Sequence, residues 1–232
     1  MFDANKQKFL LVQILKDIYS DVELSNSLGF KGGTALMLFY GLPRFSVDLD
    51  FNLLIKEKTD VVYNNLREIA LKYGKIKDEA KKHFGIIVVL DYGQNERNLK
   101  LEVSNRQGLD TYEVKNYLGI PVQVMKEQDL FANKLCALID RGELTNRDVF
   151  DCCFLMQKRT PLNIKIVESR MKTDFRTYIE KCIKEVEKIN EKRILSGLGD
   201  LMDEDTKTFV RNGLKKEVIS LLNFYKEFPI TG

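Results

Sequence analysis

The 232-residue sequence holds one histidine, His83. That scarcity removes Ser-His-Asp and Cys-His nucleophiles in their ordinary form, and histidine-based zinc sites with them. Cysteine is sparse as well. Cys136, Cys152, Cys153 and Cys182 show no metal-type spacing, and the adjacent pair falls in what reads as a helix interior, so buried reduced thiols are expected. No apolar run approaches the ~20 residues a membrane span requires. The polar stretch Met1 to Lys8 does not read as a secretory leader, so the expectation is a cytoplasmic protein with no membrane partner. An excess of one charge sign is also missing: 37 Lys and Arg stand against 34 Asp and Glu, for a net +3. Nucleic-acid binding must therefore be argued from local patches. The length suits one domain with a sizeable core or two small ones.

What is present concentrates in residues 31–51, KGGTALMLFYGLPRFSVDLDF. Phe30 ends an apolar approach. Gly32 and Gly33 permit positive φ and close backbone approach, so the N–H groups opening the expected Ala35–Tyr40 helix can face an anion, with the Thr34 hydroxyl beside them. Gly41 and Pro43 stop that helix. Val47 to Phe51 then alternates as a strand, which puts Asp48 and Asp50 on one side, two residues apart. Two carboxylates so placed repel, and a hard divalent cation shared with substrate phosphates relieves the repulsion. Taken alone, Gly-Gly-Thr is usually a turn and helix cap, and Asp-x-Asp a solvated strand face. The ordered combination of strand, glycine pair, helix, turn and acidic strand is more specific.

Helical spacing marks Lys6–Tyr19 and Thr59 to about Tyr73, the second capped by Thr59 or Asp60. Lys72, Lys75, Lys77, Lys81 and Lys82 read as a loop-like solvated charge run, with a phosphate-tracking surface as the alternative. His83–Asp91 and Leu99–Ser104 read as strands joined through the turn residues Gly93-Gln94-Asn95. Glu102 falls opposite the leucines of its strand. It is either a third carboxylate that binds metal or takes the proton of an attacking hydroxyl, or a surface glutamate paired to Lys100 or Arg106. Pro121–Met125 is the last expected strand, with proline at its tolerated first position. Beyond it the period becomes helical, which suggests an α/β core over 1–125 and a helical portion over 126–232.

A second informative stretch is Glu127–Gln157. Leu130, Lys134, Leu138 and Arg141 share a helix face, Gly142 ends that helix, and Thr145 or Asn146 caps the next. Asp148 near a helix start suits the helix dipole. Arg147 and Asp151 form a possible i, i+4 pair worth only ~0.3–0.5 kcal/mol. Lys134 on a largely apolar face needs a partner, either Asp148 or a phosphate, because burying an ammonium alone is expensive. Downstream, Ile164–Met171, Phe175–Ile194 and Thr206–Phe228 show helical spacing, with a break at Gly197, Gly199 and Asp200. Their lysines and arginines are interspersed with glutamates, so a nucleic-acid surface and ordinary i, i+4 pairing stand equally open.

The string KGGTALxxxYGLPRxSxDLDF, followed by a helix bearing Lys, Ala-Leu and Arg and then Arg-Asp-x-x-Asp, strongly resembles the AbiEii/AbiGii-type nucleotidyltransferase toxins, close relatives of the MenT-type toxins. The resemblance implies a nucleotidyltransferase fold of the α/β (α+β) class, with a small mixed sheet flanked by helices and a helical C-terminal portion. It implies transfer of NMP from an NTP to an acceptor hydroxyl, with pyrophosphate leaving. Asp48 and Asp50, with Glu102 as a superfamily-type third carboxylate, would hold Mg²⁺ or Mn²⁺. Lys31, Gly32, Gly33, Thr34, Arg44, Ser46, Lys134, Arg141, Arg147 and Asp151 fall among the nucleotide-binding positions, and Asp148 at an essential acidic one. Arg141 and Arg147 either orient phosphates or lock the helix pair, and Ser46 reads more simply as a turn hydroxyl. For such relatives the acceptor is RNA, typically the tRNA 3′ end, so that translation stops until a cognate antitoxin reverses the effect. A small-molecule nucleotidyltransferase and a catalytically inactive nucleotide- or RNA-binding regulator remain as alternatives. Both aspartates, the glycine pair and Lys134 argue against the inactive one.

Overall fold

Among the described residues seven strands form one mixed sheet: β1 (Leu28–Lys31), β2 (Leu49–Leu53), β3 (Lys75–Lys82), β4 (Gly85–Asp91), β5 (Leu99–Ser104), β6 (Tyr112–Tyr117) and β7 (Ile120–Met125). Ten α-helices accompany them among the described residues: α1 (Ala4–Ser20), α2 (Val22–Ser27), α3 (Gly32–Phe39), α4 (Thr59–Leu71), α5 (Glu127–Asp140), α6 (Asn146–Gln157), α7 (Ile164–Met171), α8 (Phe175–Glu187), α9 (Glu204–Asn212) and α10 (Leu214–Glu227). This computed structural model describes residues 4–93, 97–106, 108–140 and 142–231. The chain divides into two compact units, one of Met1–Gly41, Phe45–Gln107 and Tyr112–Met125, the other of Leu42–Arg44, Gly108–Thr111 and Lys126–Gly232.

In the first unit the strand order is β3-β4-β5-β2-β1-β7-β6. The glycine-bearing β1 lies antiparallel to the acidic β2, and β2 runs parallel to β5. Alternation then sorts the side chains. Leu49, Phe51, Leu101, Val103, Ile86 and Val88 are buried together with Phe30 and Val124 on the core face, where α1 and α4 pack. Asp50, Lys100, Glu102, Ile87 and Val89 fall on the opposite face, each half-buried. A strand period of two thus delivers an apolar layer on one side and a charged, partly open one on the other.

The second unit is helical. α5 packs on α6 and α7, and α10 packs on α8 and α6. Two short pieces of chain are tied into it. Asp129 accepts from the Thr111 backbone N–H at 2.7 Å and from its hydroxyl at 2.6 Å, and Arg44 is held as described below. The Tyr178 hydroxyl, buried on α8, donates to the Leu135 and Cys136 carbonyls at 2.8 and 3.1 Å. All four cysteines are buried free thiols.

Several local expectations need correction. Lys75–Lys82 is an edge strand, not a loop. Its residues are mostly exposed on both faces, and a register shift between Ile76 and Asp78 breaks the alternation. β6, the other edge, carried no expectation at all. β2 starts at Leu49, so Asp48 precedes the strand. Neither Thr59 nor Asp60 caps α4, whose N-cap is Lys58 with no side-chain bond. The expected Phe175–Ile194 helix ends at Glu187, and the expected Thr206–Phe228 helix is two helices meeting at Gly213. Gln94 and Asn95 of the expected turn lie outside the described residues, as does Arg141.

Candidate active site

The first unit builds its site where β1 turns into α3. Gly32 has φ +78°, a left-handed conformation that L side chains avoid. A Cβ placed there would stand 2.9 Å from Asp50 Cβ and 3.0 Å from its Cγ. The glycine is therefore required twice, by backbone conformation and by the aspartate lying against it. Lys31 is the N-cap of α3 and supplies no side-chain cap bond to the first N–H groups of that helix.

Thr34 takes a different part from the expected one. Its side chain is buried, and its hydroxyl donates to the Asp48 backbone carbonyl. It ties α3 to the residue preceding β2 and so positions Asp48. Gln7 on α1 donates to the Val47 carbonyl at 3.2 Å and steadies the same segment. The Asp48 carboxylate accepts from the Lys100 backbone N–H at 3.3 Å.

Asp50 pairs in register with Glu102 across β2 and β5. Burial raises the Asp50 carboxyl above its ordinary value, and the charges of Glu102 and Asp48 raise it further, while Lys31 and Lys100 pull it partly back. Glu102 is bonded to Lys100, Nζ to Oε2 at 2.6 Å. Of the two readings for Glu102, the structure thus supplies features of both: it stands beside Asp50, and it is paired to Lys100. Lys100, named from sequence only as a possible partner of Glu102, also meets Asp48 through its backbone N–H. The signal for the Glu102 pairing was its place two residues before Glu102 on the same strand face.

Among the described residues no three His, Cys, Asp or Glu side chains stand close enough to form a ready metal cage. The donor chemistry nonetheless fits a hard divalent ion. Glu102 and Asp48 both act electrostatically on Asp50 beside a helix start, and burial, reinforced by those two charges, disfavours the ionised Asp50 carboxyl. No histidine or thiolate competes in that set.

The second unit holds its own charged cluster. Arg44 forks onto Asp151, Nε to Oδ1 and Nη2 to Oδ2, both at 2.6 Å. Lys134 reaches Asp148 at 2.9 Å and Asp151 at 2.8 Å. Thr145 caps α6, accepting from the Asp148 N–H and donating to its carboxylate at 2.8 Å. Two cations and two carboxylates close a neutral network with little contact with solvent. Burial disfavours the Asp151 carboxylate, but Arg44 and Lys134 outweigh it and hold the carboxyl below its ordinary value. The anticipated Arg147–Asp151 pair does not form. Arg147 is exposed, and Asp151 is engaged by Arg44 and Lys134. Ser46 is half-buried before β2.

A mixed sheet with a glycine turn leading into a helix, and with acidic residues on the adjacent strands, defines the class of protein: a nucleotidyltransferase. Residues 13–219 match the family described as nucleotidyl transferase AbiEii toxin, type IV toxin–antitoxin system. The chain belongs to that family. Two solved structures from Helicobacter pylori share the fold. A candidate nucleotidyltransferase is 23% identical with TM-score 0.59, covering 95% of this chain and 96% of its own. The protein JHP933 is 24% identical with TM-score 0.55, covering 97% and 95%. No curated protein matches significantly. Among the described residues no helix is long and apolar enough to cross a membrane.

Proposed function

We propose that this chain moves a nucleoside monophosphate from an NTP to a hydroxyl of an RNA acceptor, the tRNA 3′ end, and acts as the toxin of its system by stopping translation until a cognate antitoxin intervenes. The carrying observation is Asp50, set against Gly32 and beside Glu102 on one face of the sheet. A binding module gains nothing from such a like-charged row.

In this reading the N–H groups at the start of α3 take phosphate oxygens, because the glycine pair lets the backbone come close and the helix start favours an anion. Asp48, Asp50 and Glu102 would hold Mg²⁺ or Mn²⁺. That ion, when bound, neutralises the charge growing on the α-phosphate and on departing pyrophosphate. Thr34 and Gln7 keep Asp48 in place. Glu102 either completes that set or, released from Lys100, accepts the proton of the acceptor hydroxyl. Lys134 would serve a phosphate only by exchanging Asp148 or Asp151 for it. Arg44, Asp148 and Asp151 act as positioning residues, and exposed Arg147 remains suited to a phosphate contact. The first unit is the catalytic core in this scheme, and the helical unit from residue 126 its accessory part.

The test is incubation with total tRNA and each α-³²P-labelled NTP in turn, with Mg²⁺ present or chelated. Label entering RNA with one or more NTPs, lost on chelation and lost in folded Asp48→Ala, is the expected outcome. Label in a small compound with tRNA untouched would replace the RNA acceptor, and no transfer with any NTP would sink the proposal.

A further inference from the structure

The tip of the β3–β4 hairpin carries an aromatic ring that the fold does not use. Phe84 is 66% exposed, although it is large and apolar. His83 packs edge-on to its ring, with centroids 4.9 Å apart. The Arg106 guanidinium stands 5.8 Å from the ring centroid. The tip is fastened from behind: Asn105 N–H donates to the Phe84 carbonyl at 3.0 Å, and its side chain to the His83 carbonyl at 3.3 Å. Lys82, the residue before His83, is exposed, as is Arg106. Neither enters a salt bridge among the described residues, whereas Lys81 is bound to Asp60 and Lys100 to Glu102.

The register connects this tip to the acidic row. Glu102 stands between Asp50 on β2 and Ile87 on β4. Two residues along, Ser104 stands between Asn52 and Gly85, and Gly85 pairs with Lys82. Two strand residues cover about 7 Å. Gly85 offers no side chain there, and an added Cβ would collide with the Val103 carbonyl. From the acidic row to the hairpin tip the path runs past Ser104 and side-chain-free Gly85, flanked by half-buried Ile87.

We propose that Phe84, with Arg106 and Lys82, is a docking platform for the single-stranded 3′ end of the acceptor RNA: an unpaired base stacks on the Phe84 ring while the two cations take the flanking phosphates. An exposed ring with Arg106 against it, Lys82 two residues away in the chain, and neither cation in a salt bridge among the described residues is the recognition chemistry of unpaired RNA, which offers flat π-faces and phosphates together. A blunt duplex end exposes only the face of its terminal base pair and no unpaired strand for the cations to follow. This platform rests on the RNA-acceptor reading above and adds where on the sheet that acceptor is gripped.

The experiment is fluorescence anisotropy of the full chain with a 5′-labelled short single-stranded RNA ending in a free 3′ hydroxyl, and with a blunt hairpin of matched length. Phe84→Ala is expected to weaken single-strand binding about tenfold or more, the loss of one stacked base. Phe84→Trp is expected to restore it, and Arg106→Gln to weaken it several-fold with a shallower salt dependence. Melting temperatures are expected to stay at the parent value, since both substituted side chains are exposed. Equal binding by the parent and Phe84→Ala, preference for the blunt hairpin, or no RNA binding by the parent overturns the platform. If RNA is labelled while Phe84→Ala binds normally, the transferase reading stands without the platform. If binding depends on Phe84 but no NTP is transferred, the platform stands and the transferase reading falls.

Discussion

Arg44 and Asp151 meet as a two-pronged ion pair, both prongs at 2.6 Å and both side chains shut off from solvent. Removing one partner leaves the other charged and buried, which costs far more than the pair contributes. Asp151→Ala and Arg44→Ala are each expected to lose about 3–5 kcal/mol of unfolding free energy. Urea denaturation measures it. Replacing Arg44 and Asp151 together by apolar residues of similar volume is expected to recover most of that loss, and equal loss in the double variant would disprove the pairing argument.

The same carboxylate makes stability depend on acid. Its pKa is lower folded than unfolded, so it stabilises the fold above the ordinary carboxylate range and loses that contribution as pH falls through the depressed folded value. Melting temperature is therefore expected to drop below about pH 4, where unfolded carboxylates begin to take protons. Asp151→Asn is expected to start from a lower melting temperature and to show a flatter acid limb. A parallel limb would assign the acid sensitivity to other groups.

Gly32→Ala is expected to be costly in both activity and stability. Positive φ alone costs an alanine about 1–2 kcal/mol, and the added methyl must also displace the Asp50 side chain. Gly41 provides the control. It has φ +81°, but a methyl added there would meet nothing within 4 Å, so Gly41→Ala is expected to show only the backbone cost and to retain transfer activity. Calorimetry and the labelling assay separate the two.

Asp50→Asn is expected to abolish transfer, by at least about 100-fold, while the metal-free variant melts at or above the temperature of the parent. The sign follows from the raised carboxyl: its ionised form is the disfavoured one, so a neutral isostere removes the cost of burying that charge and also relieves repulsion from Glu102 and Asp48. Added Mn²⁺ is expected to raise the melting temperature of the parent and to leave Asp50→Asn unmoved. A variant that melts well below the parent without metal would show that the acidic row is not under strain.

Much of this centre was legible because its signals are local. The glycine pair, the short helix and the alternation of Leu99–Ser104 each show within a few residues, and the Asp148 cap within three. What escaped was set at long range or at the sheet edge. Arg44 finds Asp151 across 107 positions, a distance at which no spacing rule operates, so its charge read as a phosphate contact. Lys75–Lys82 read as a loop because an edge strand exposed on both sides has no apolar alternation to display, and the bulge after Ile76 scrambles what remains. Lysines there also suit an edge that must not pair with another chain. The break at Gly213 was hidden by helical spacing that continues on both sides of it.

The order of the strands has a consequence for synthesis. β2 cannot gain its parallel neighbour until Leu99–Ser104 has left the ribosome, and β1 waits longer still for Val124 to reach Phe30. Pairings so far apart in sequence close late and slowly. The emerging polypeptide therefore carries its aspartates for a long stretch without the glutamate strand beside them, and the acidic row comes together only once much of the chain has been made.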